Sequence, residues 1–112
     1  MKFWHFHFEG WFLPDSSEYP EQGVFSSCLV QRDEYIDAEF TFLQALSKRK
    51  ISLIEITESF IVDTDPTEMD PSNPDNTYWF EWCEETREAC EPTFEQFCLY
   101  PPAEVSVLNK GN

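Results

Sequence analysis

Large aromatic residues alternate with other side chains at the start of the chain. Trp4, Phe6 and Phe8 recur with a period of two, which places them on one face of an extended strand. The alternate positions, on the other face, are Phe3, His5, His7 and Glu9. This pattern predicts a half-buried β-strand over residues 2–13. Turn-forming residues follow at 14–23, and residues 24–31 predict a second strand, antiparallel to the first.

The next segment has the periodicity of an amphipathic helix. Asp33 is the predicted N-cap, and Lys48, Arg49 and Lys50 lie at the C-terminal end, where cations interact favourably with the helix dipole. The inward-facing stripe is predicted to consist of Ile36, Phe40, Leu43 and Leu46, widened by Ala38, Phe42 and Ala45.

Residues 51–62 predict a long strand, because apolar side chains recur along its whole length. One face is predicted to carry Ile54, Ile56, Phe60 and Val62, and the other Ile51, Leu53 and Ile61. Residues 63–76 follow as an acidic loop in which three prolines disfavour regular structure.

Residues 78–90 allow two interpretations. A helix capped by Asn76 or Thr77 is one, and an aromatic-rich strand over 78–82 is the other. In the helix, one side would carry Trp79, Trp82, Cys83, Thr86 and Cys90, and the solvent side Glu81, Glu84, Glu85 and Glu88. A last strand is predicted at 94–100.

The predicted order of elements is β-β-α-β-α-β. The simplest arrangement that buries both helical stripes is a single antiparallel or mixed four-stranded sheet with two helices on one face. The expected fold is therefore an α+β sandwich, ferredoxin-like or related. It forms one domain over residues 1–102, and residues 103–112 are expected to be a C-terminal tail.

The charge of the chain narrows the classes of partner. The 112 residues carry a formal net charge of −15, yet 17% of them are aromatic, which favours a folded domain over a disordered acidic chain. Phosphate groups would be repelled, which argues against nucleic acids and anionic membranes. We find neither a long apolar segment nor a signal-peptide pattern at the N-terminus, and expect a cytoplasmic protein.

No sequence pattern indicates a catalytic site, and we expect a protein that is not an enzyme and has no cofactor. His5 and His7 share a strand face and, with cysteines, could form a small-ligand site or a zinc or copper site that a cysteine or carboxylate completes, but no ligand cluster of fixed short spacing is present. The preferred interpretation of the two histidines is a polar, solvent-facing strand. Acids in residues 63–75 do not fit the EF-hand spacing for calcium. The cysteines, Cys28, Cys83, Cys90 and Cys98, are expected to be reduced and mostly buried.

The strongest functional signal is the mixture of acidic and aromatic residues in the C-terminal half. Residues 63–104 contain twelve Asp and Glu residues and a single basic residue, Arg87. Such a surface could meet the Lys and Arg side chains of a basic protein, with Tyr and Trp as anchors. The predicted partner-binding residues are Glu81, Glu84, Glu85, Glu88, Asp63, Asp65, Glu68, Asp70, Trp79 and Trp82. Trp82 could instead belong to the core, and an exposed strand edge could pair with a second copy to give a homodimer.

The layout of the chain resembles the small acidic immunity proteins of bacterial toxin–immunity systems. The segments that carry the resemblance are MKFWHFHFEGWFLP, DEYIDAEFTFLQALSKRK followed by ISLIEITESFIV, and WFEWCEETREACE. Phage-encoded inhibitors of host defence look similar at this level. The resemblance implies a protein without catalytic activity that neutralises a basic toxin, such as a nuclease, by covering its active site.

Overall fold

A computed structural model describes residues 2–62 and 74–101, with side chains from Thr77 onward in the second segment. Within these residues the chain forms five strands and two helices. They are β1 (Lys2–Phe12), β2 (Gly23–Arg32), α1 (Tyr35–Lys48), β3 (Ile51–Val62), α2 (Pro74–Ala89), β4 (Thr93–Phe94) and β5 (Cys98–Tyr100). No helix in these two segments is long and apolar enough to cross a membrane.

The strands form one open antiparallel sheet in the order β3-β1-β2-β4, and β5 also pairs with β2. The predicted α+β class with one sheet and two helices is confirmed. The sheet is antiparallel throughout its hydrogen-bonded pairs, and the ferredoxin-like topology is not confirmed. The predicted last strand at 94–100 is instead two short strands, because the chain leaves the sheet between residues 94 and 98.

Helix α1 packs on one face of the sheet. Phe42 stacks on Phe6 with ring centroids 4.7 Å apart and meets the edge of Phe8 at 5.3 Å. The buried cluster on this face comprises Phe6, Phe8, Phe12, Val24, Cys28, Val30, Ala38, Phe42, Leu46 and Ile51. These β1 residues share the face that the alternating pattern predicted for Trp4, Phe6 and Phe8.

Helix α2 packs on the opposite face, so the prediction of two helices on one face is wrong. Trp82 and Cys83 of α2 form a second buried cluster with Phe3, Leu29 and Val62. The physical reason is that both faces of the central strands are apolar: Phe3 and Leu29 point away from α1 and need a cover of their own. The prediction of a half-buried first strand is wrong at Phe3 and His5 for the same reason, whereas buried and partly exposed residues alternate from Phe6 to Phe12 as predicted.

The face assignment within α1 is also only partly correct. Ala38, Phe42 and Leu46 are buried, whereas Ile36 and Phe40 are 77% and 62% exposed. The helix begins at Tyr35 with Glu34 at the N-cap position, rather than Asp33, and no side-chain hydrogen bond caps it among the described residues. The helix is therefore rotated so that Ala38 and Phe42, which only widened the predicted stripe, face the sheet together with Leu46.

Strand β3 has the predicted bounds but different faces. Its register with β1 shifts between His7 and Phe8 and again between Glu9 and Gly10, which leaves Thr57 and Ile54 as extra residues. Each β-bulge reverses the alternation of side chains along the strand. As a result, Ile56 faces the α1 side with Ile51 and Leu53, and the predicted grouping of Ile54, Ile56, Phe60 and Val62 is wrong.

Helix α2 confirms the helical interpretation of residues 78–90 and excludes the strand at 78–82. The helix begins at Pro74, earlier than the predicted caps at Asn76 or Thr77, and proline is well suited to the first helical position. It ends at Ala89, so Cys90 follows the helix, with φ of 56°. The predicted tail at 103–112 lies outside the described residues.

Candidate partner-binding face on the second helix

Hydrogen bonds fix the inner side of α2 to strand β4. The indole Nε1 of Trp82 donates to the hydroxyl of Thr93 over 2.8 Å. The hydroxyl of Thr86 donates to the Trp82 carbonyl at 2.9 Å and lies 2.7 Å from the Thr93 hydroxyl. Thr86 is 1% exposed, so its polar atom needs these partners. The helix is therefore held at one rotation about its axis, and this rotation sets which residues reach solvent.

Aromatic rings fill the space between α2 and the sheet. Trp79 stacks on Trp82 with centroids 5.7 Å apart, and both indoles meet the imidazole of His5 edge-on, at 5.3 and 5.7 Å. Trp82 is buried and belongs to the core, which resolves the alternative that the sequence left open. Trp79 is half-buried, and it is the predicted anchor that keeps part of its ring at the surface.

The outer side of α2 carries the four predicted glutamates. Glu81, Glu85 and Glu88 are exposed, and Glu84 is half-buried and forms an ion pair with Arg87. Among the ion pairs of the described residues, none involves the other three. We call these four residues the acidic face of α2. It presents negative charge that the described part of the chain neutralises only at Glu84.

Two exposed aromatic residues border the acidic face. At 100° per residue, Tyr78 falls beside Glu85 along one edge of the stripe, and Phe80 falls beside Glu84 along the other. Tyr78 and Phe80 are 48% and 39% exposed. The anchors predicted from the sequence were Trp79 and Trp82, and neither Tyr78 nor Phe80 was among the predicted binding residues. Their exposure could have been predicted, because a helical wheel of residues 78–90 places both Tyr78 and Phe80 on the polar half.

Tyr78 also contacts the segment that follows β4. Its hydroxyl donates to the carboxylate of Glu95, and its ring meets Trp79 at 5.5 Å between centroids. These contacts hold the exposed ring in place, which lowers the entropy lost when a partner covers it. The remaining predicted partner-binding residues, Asp63, Asp65, Glu68 and Asp70, lie outside the described residues, as does most of the segment considered for calcium.

The two histidines do not form a metal site with other described residues. His5 is 6% exposed and stacks on Phe60, so its interpretation as solvent-facing is wrong. His7 Nδ1 lies 2.6 Å from the hydroxyl of Thr57, and that hydroxyl contacts the His7 carbonyl at 3.0 Å. Within residues 2–62 and 74–101, no three His, Cys, Asp or Glu side chains are grouped closely enough to bind one metal ion.

The cysteines divide into two classes. All four are free thiols: Cys28 and Cys83 are buried, whereas Cys90 and Cys98 are exposed. Burial raises the pKa of Cys28 far above its ordinary value. Burial, with the nearby Glu84 carboxylate, raises the pKa of Cys83 to about 12. Both buried thiols therefore stay protonated at neutral pH and are poor nucleophiles.

Basic residues gather on a different side of the molecule. Arg32, Lys48 and Arg49 line a cavity of about 240 Å³ between α1 and the segment at 90–94. Arg49 lies over the ring of Phe94, with its guanidinium carbon 4.9 Å from the centroid, and pairs with Glu18 at 3.5 Å. The acidic face of α2 and these cations thus occupy separate surfaces, and the chain has a charge asymmetry as well as a net charge.

The sequence and structure of the chain were compared with protein families, curated proteins and solved structures. The chain matches no protein-family model, no curated protein and no solved structure.

Proposed function

We propose that this chain is a non-catalytic binding protein that neutralises a basic protein partner, in the manner of an immunity protein or inhibitor of a nuclease toxin or nucleic-acid-binding protein. The observation that carries the proposal is the acidic face of α2. Three exposed glutamates without a cationic partner in the described residues lie on a helix whose rotation is fixed by the core. Carboxylates held in this way are ready to meet Lys and Arg with little reorganisation.

The aromatic border supports the same function. Tyr78 and Phe80 add apolar area at both edges of the acidic face, and Tyr and Phe are common in the centre of protein interfaces. A net charge of −15 would steer a basic partner toward the chain and raise the association rate. The resemblance to small acidic immunity proteins points to the same class of partner.

The test compares two pairs of charge reversals with the same change in net charge. Glu81→Lys with Glu88→Lys alters the acidic face of α2, and Asp33→Lys with Glu34→Lys alters exposed acids before α1. A tagged wild-type chain is used to capture partners from its source cells, and the captured proteins are purified and assayed individually. We expect a basic protein whose binding is weakened by roughly 10- to 100-fold by the first pair and much less by the second.

Two results would contradict the proposal. One is the recovery of partners that are not basic. The other is equal loss of affinity in both double variants, because that would show that only net charge matters and that the α2 surface has no specific role.

A further inference from the structure

Helix α1 has a second apolar stripe that the fold leaves exposed. Ile36, Phe40 and Leu43 follow each other at intervals of four and three residues, which places them on one side of the helix. They are 77%, 62% and 39% exposed. Leu43 lines a cavity with Ile51 and Leu53 of β3, so the stripe lies on the β3 side of the helix.

Strand β3 lies beside this stripe and forms an edge of the sheet. It pairs with β1 along one side, and no strand among the described residues pairs with its other side. Ile61 is paired with Trp4, so its side chain lies on the face of the sheet that α1 covers, and it is 48% exposed. Ile54, in the bulge, is 53% exposed. We call Ile36, Phe40, Leu43 and Ile61 the β3 edge surface. An apolar patch at an unpaired edge is typical of a protein interface.

The opposite face of the same edge is acidic. Glu55 and Glu58 are exposed on β3, opposite Glu9 and His7 of β1. Two carboxylates, Glu9 and Glu55, are therefore directly opposed across the strands, an arrangement that destabilises a sheet unless a cation is nearby. Among the ion pairs of the described residues, none involves either of them.

The geometry points to one kind of occupant. We propose that the β3 edge binds an extended segment of a basic protein by strand addition, and that this segment alternates apolar residues with Lys or Arg. In a strand added along residues 58–62 successive side chains point to opposite faces, so one set would lie beside Ile61 and the other beside Glu58, with Glu55 just past the Thr57 bulge. The proposal deepens the proposed function and rests on its basic partner, but it uses a separate surface.

Charge decides against a second copy as the occupant. A two-fold pairing of β3 strands would add the glutamates of another chain along an edge that already opposes Glu9 and Glu55. It would also bring together two chains of net charge −15. The bulges at Ile54 and Thr57 limit the regular part of the edge to residues 58–62, and bulges of this kind hinder indiscriminate pairing of edges.

The probe is the synthetic peptide Lys-Val-Lys-Val-Lys-Val-Lys, compared with Lys-Lys-Val-Val-Val-Lys-Lys, which has the same composition. A third peptide repeats the alternating sequence with alternate backbone nitrogens methylated, which removes half of the hydrogen-bond donors. We expect the alternating peptide to bind and to shift the backbone amide signals of residues 58–62. Its affinity should fall about tenfold on methylation and about tenfold for Glu55→Lys with Glu58→Lys.

The same peptide measured on the Glu81→Lys with Glu88→Lys variant separates this inference from the proposed function. Retained peptide binding supports strand addition at β3, whatever the behaviour of the natural partner. Equal binding of the two peptide sequences, or shifts confined to α2, would overturn the inference while leaving the α2 interface intact. Light scattering that shows a dimer disrupted by Ile61→Lys would also overturn it, because a second copy would then occupy the edge.

Discussion

The imidazole of His5 lies almost flat on the ring of Phe60, with 4.6 Å between the centroids and 23° between the planes. Its Nδ1 atom is buried and has no hydrogen-bond partner in the part of the chain that the structure describes. Burial, together with the neighbouring His7, lowers the pKa of His5 from 6.5 to about 4. A neutral histidine therefore forms part of the contact between β1, β3 and α2.

We predict that this histidine makes the fold sensitive to mild acid. Below pH 6.5 the unfolded chain takes up a proton at His5, whereas the folded chain does so only near pH 4. The stability that neutral His5 contributes is therefore fully present above pH 6.5. As the pH falls toward 4, this contribution is lost and the free energy of unfolding decreases by roughly 2–3 kcal/mol. Chemical denaturation at a series of pH values, compared with His5→Phe, measures it. Identical slopes for the two proteins between pH 6.5 and 4.5 would contradict the assignment.

A second prediction tests the rotation of α1. Phe42→Ala should lower the free energy of unfolding by about 3–5 kcal/mol, because it removes a fully buried ring that stacks on Phe6. Phe40→Ala, the matched change on the exposed side, should alter stability by about 0.5 kcal/mol or less. Urea denaturation of both variants gives the comparison. A larger loss of stability for Phe40→Ala than for Phe42→Ala would show that the stripe predicted from the sequence faces the sheet after all.

A third prediction concerns the close approach of Gly23 and Tyr100. A methyl group on Gly23 would overlap the ring of Tyr100, whose hydroxyl donates to Glu9 over 2.6 Å. Gly23→Ala should therefore displace β5 and cost about 1–3 kcal/mol. In a Tyr100→Ala background the same change should cost much less, since the obstructing ring is gone. Additive effects in this double-mutant cycle would show that the two residues are not in contact.

A fourth prediction uses the cysteines as reporters of burial. A maleimide reagent at pH 7.5 should label Cys90 and Cys98 quickly in the native protein. Cys28 and Cys83 should react only when the fold opens, because they are buried and their raised pKa keeps them protonated. Timed quenching and peptide mass spectrometry identify the sites. Rapid labelling of Cys83 would contradict the packing of α2 on the sheet.

A fifth prediction concerns self-repulsion. Added salt should raise the melting temperature of the free protein, since charges more than about 10 Å apart are screened at 0.1 M ionic strength. Glu81→Lys with Glu88→Lys should stabilise the chain by up to about 1 kcal/mol at low salt and reduce this salt response. Association with a basic partner should respond in the opposite sense and slow with rising salt. A partner whose association rate does not change with salt would place its interface away from the acidic face of α2.

The sequence was most informative where a single local period dominated. The bounds of β3 at Ile51–Val62 match the prediction, and α2 covers all but the last residue of the predicted helix. The four glutamates of α2 could be assigned to its outer side once a helix was assumed, since helical spacing alone separates them from Trp82 and Thr86. The same helical spacing places Tyr78 and Phe80 on the polar half of α2, and both are exposed there.

The sequence did not predict which side of an element is buried where two apolar patterns were both possible and tertiary contacts determined the outcome. In α1, both the Ile36–Phe40–Leu43 stripe and the Ala38–Phe42–Leu46 stripe have helical spacing, and the sequence gives the former more apolar bulk. The smaller Ala38 allows a close approach to the sheet, and Phe42 fits between Phe6 and Phe8, so the second stripe is buried. In β3, the bulges at Thr57 and Ile54 depend on pairing with β1, which no local pattern reports.

The sequence by itself determined the number and type of the long elements, the charge, and the acidic side of α2, because these follow from composition and from periods of two and 3.6 residues. Tertiary structure alone decided that the helices cover opposite faces of the sheet, that His5 is buried, and that an apolar stripe is left beside the β3 edge. The physical reason is that strands β1 and β2 are apolar on both faces. Which helix covers which face depends on packing between segments far apart in the chain.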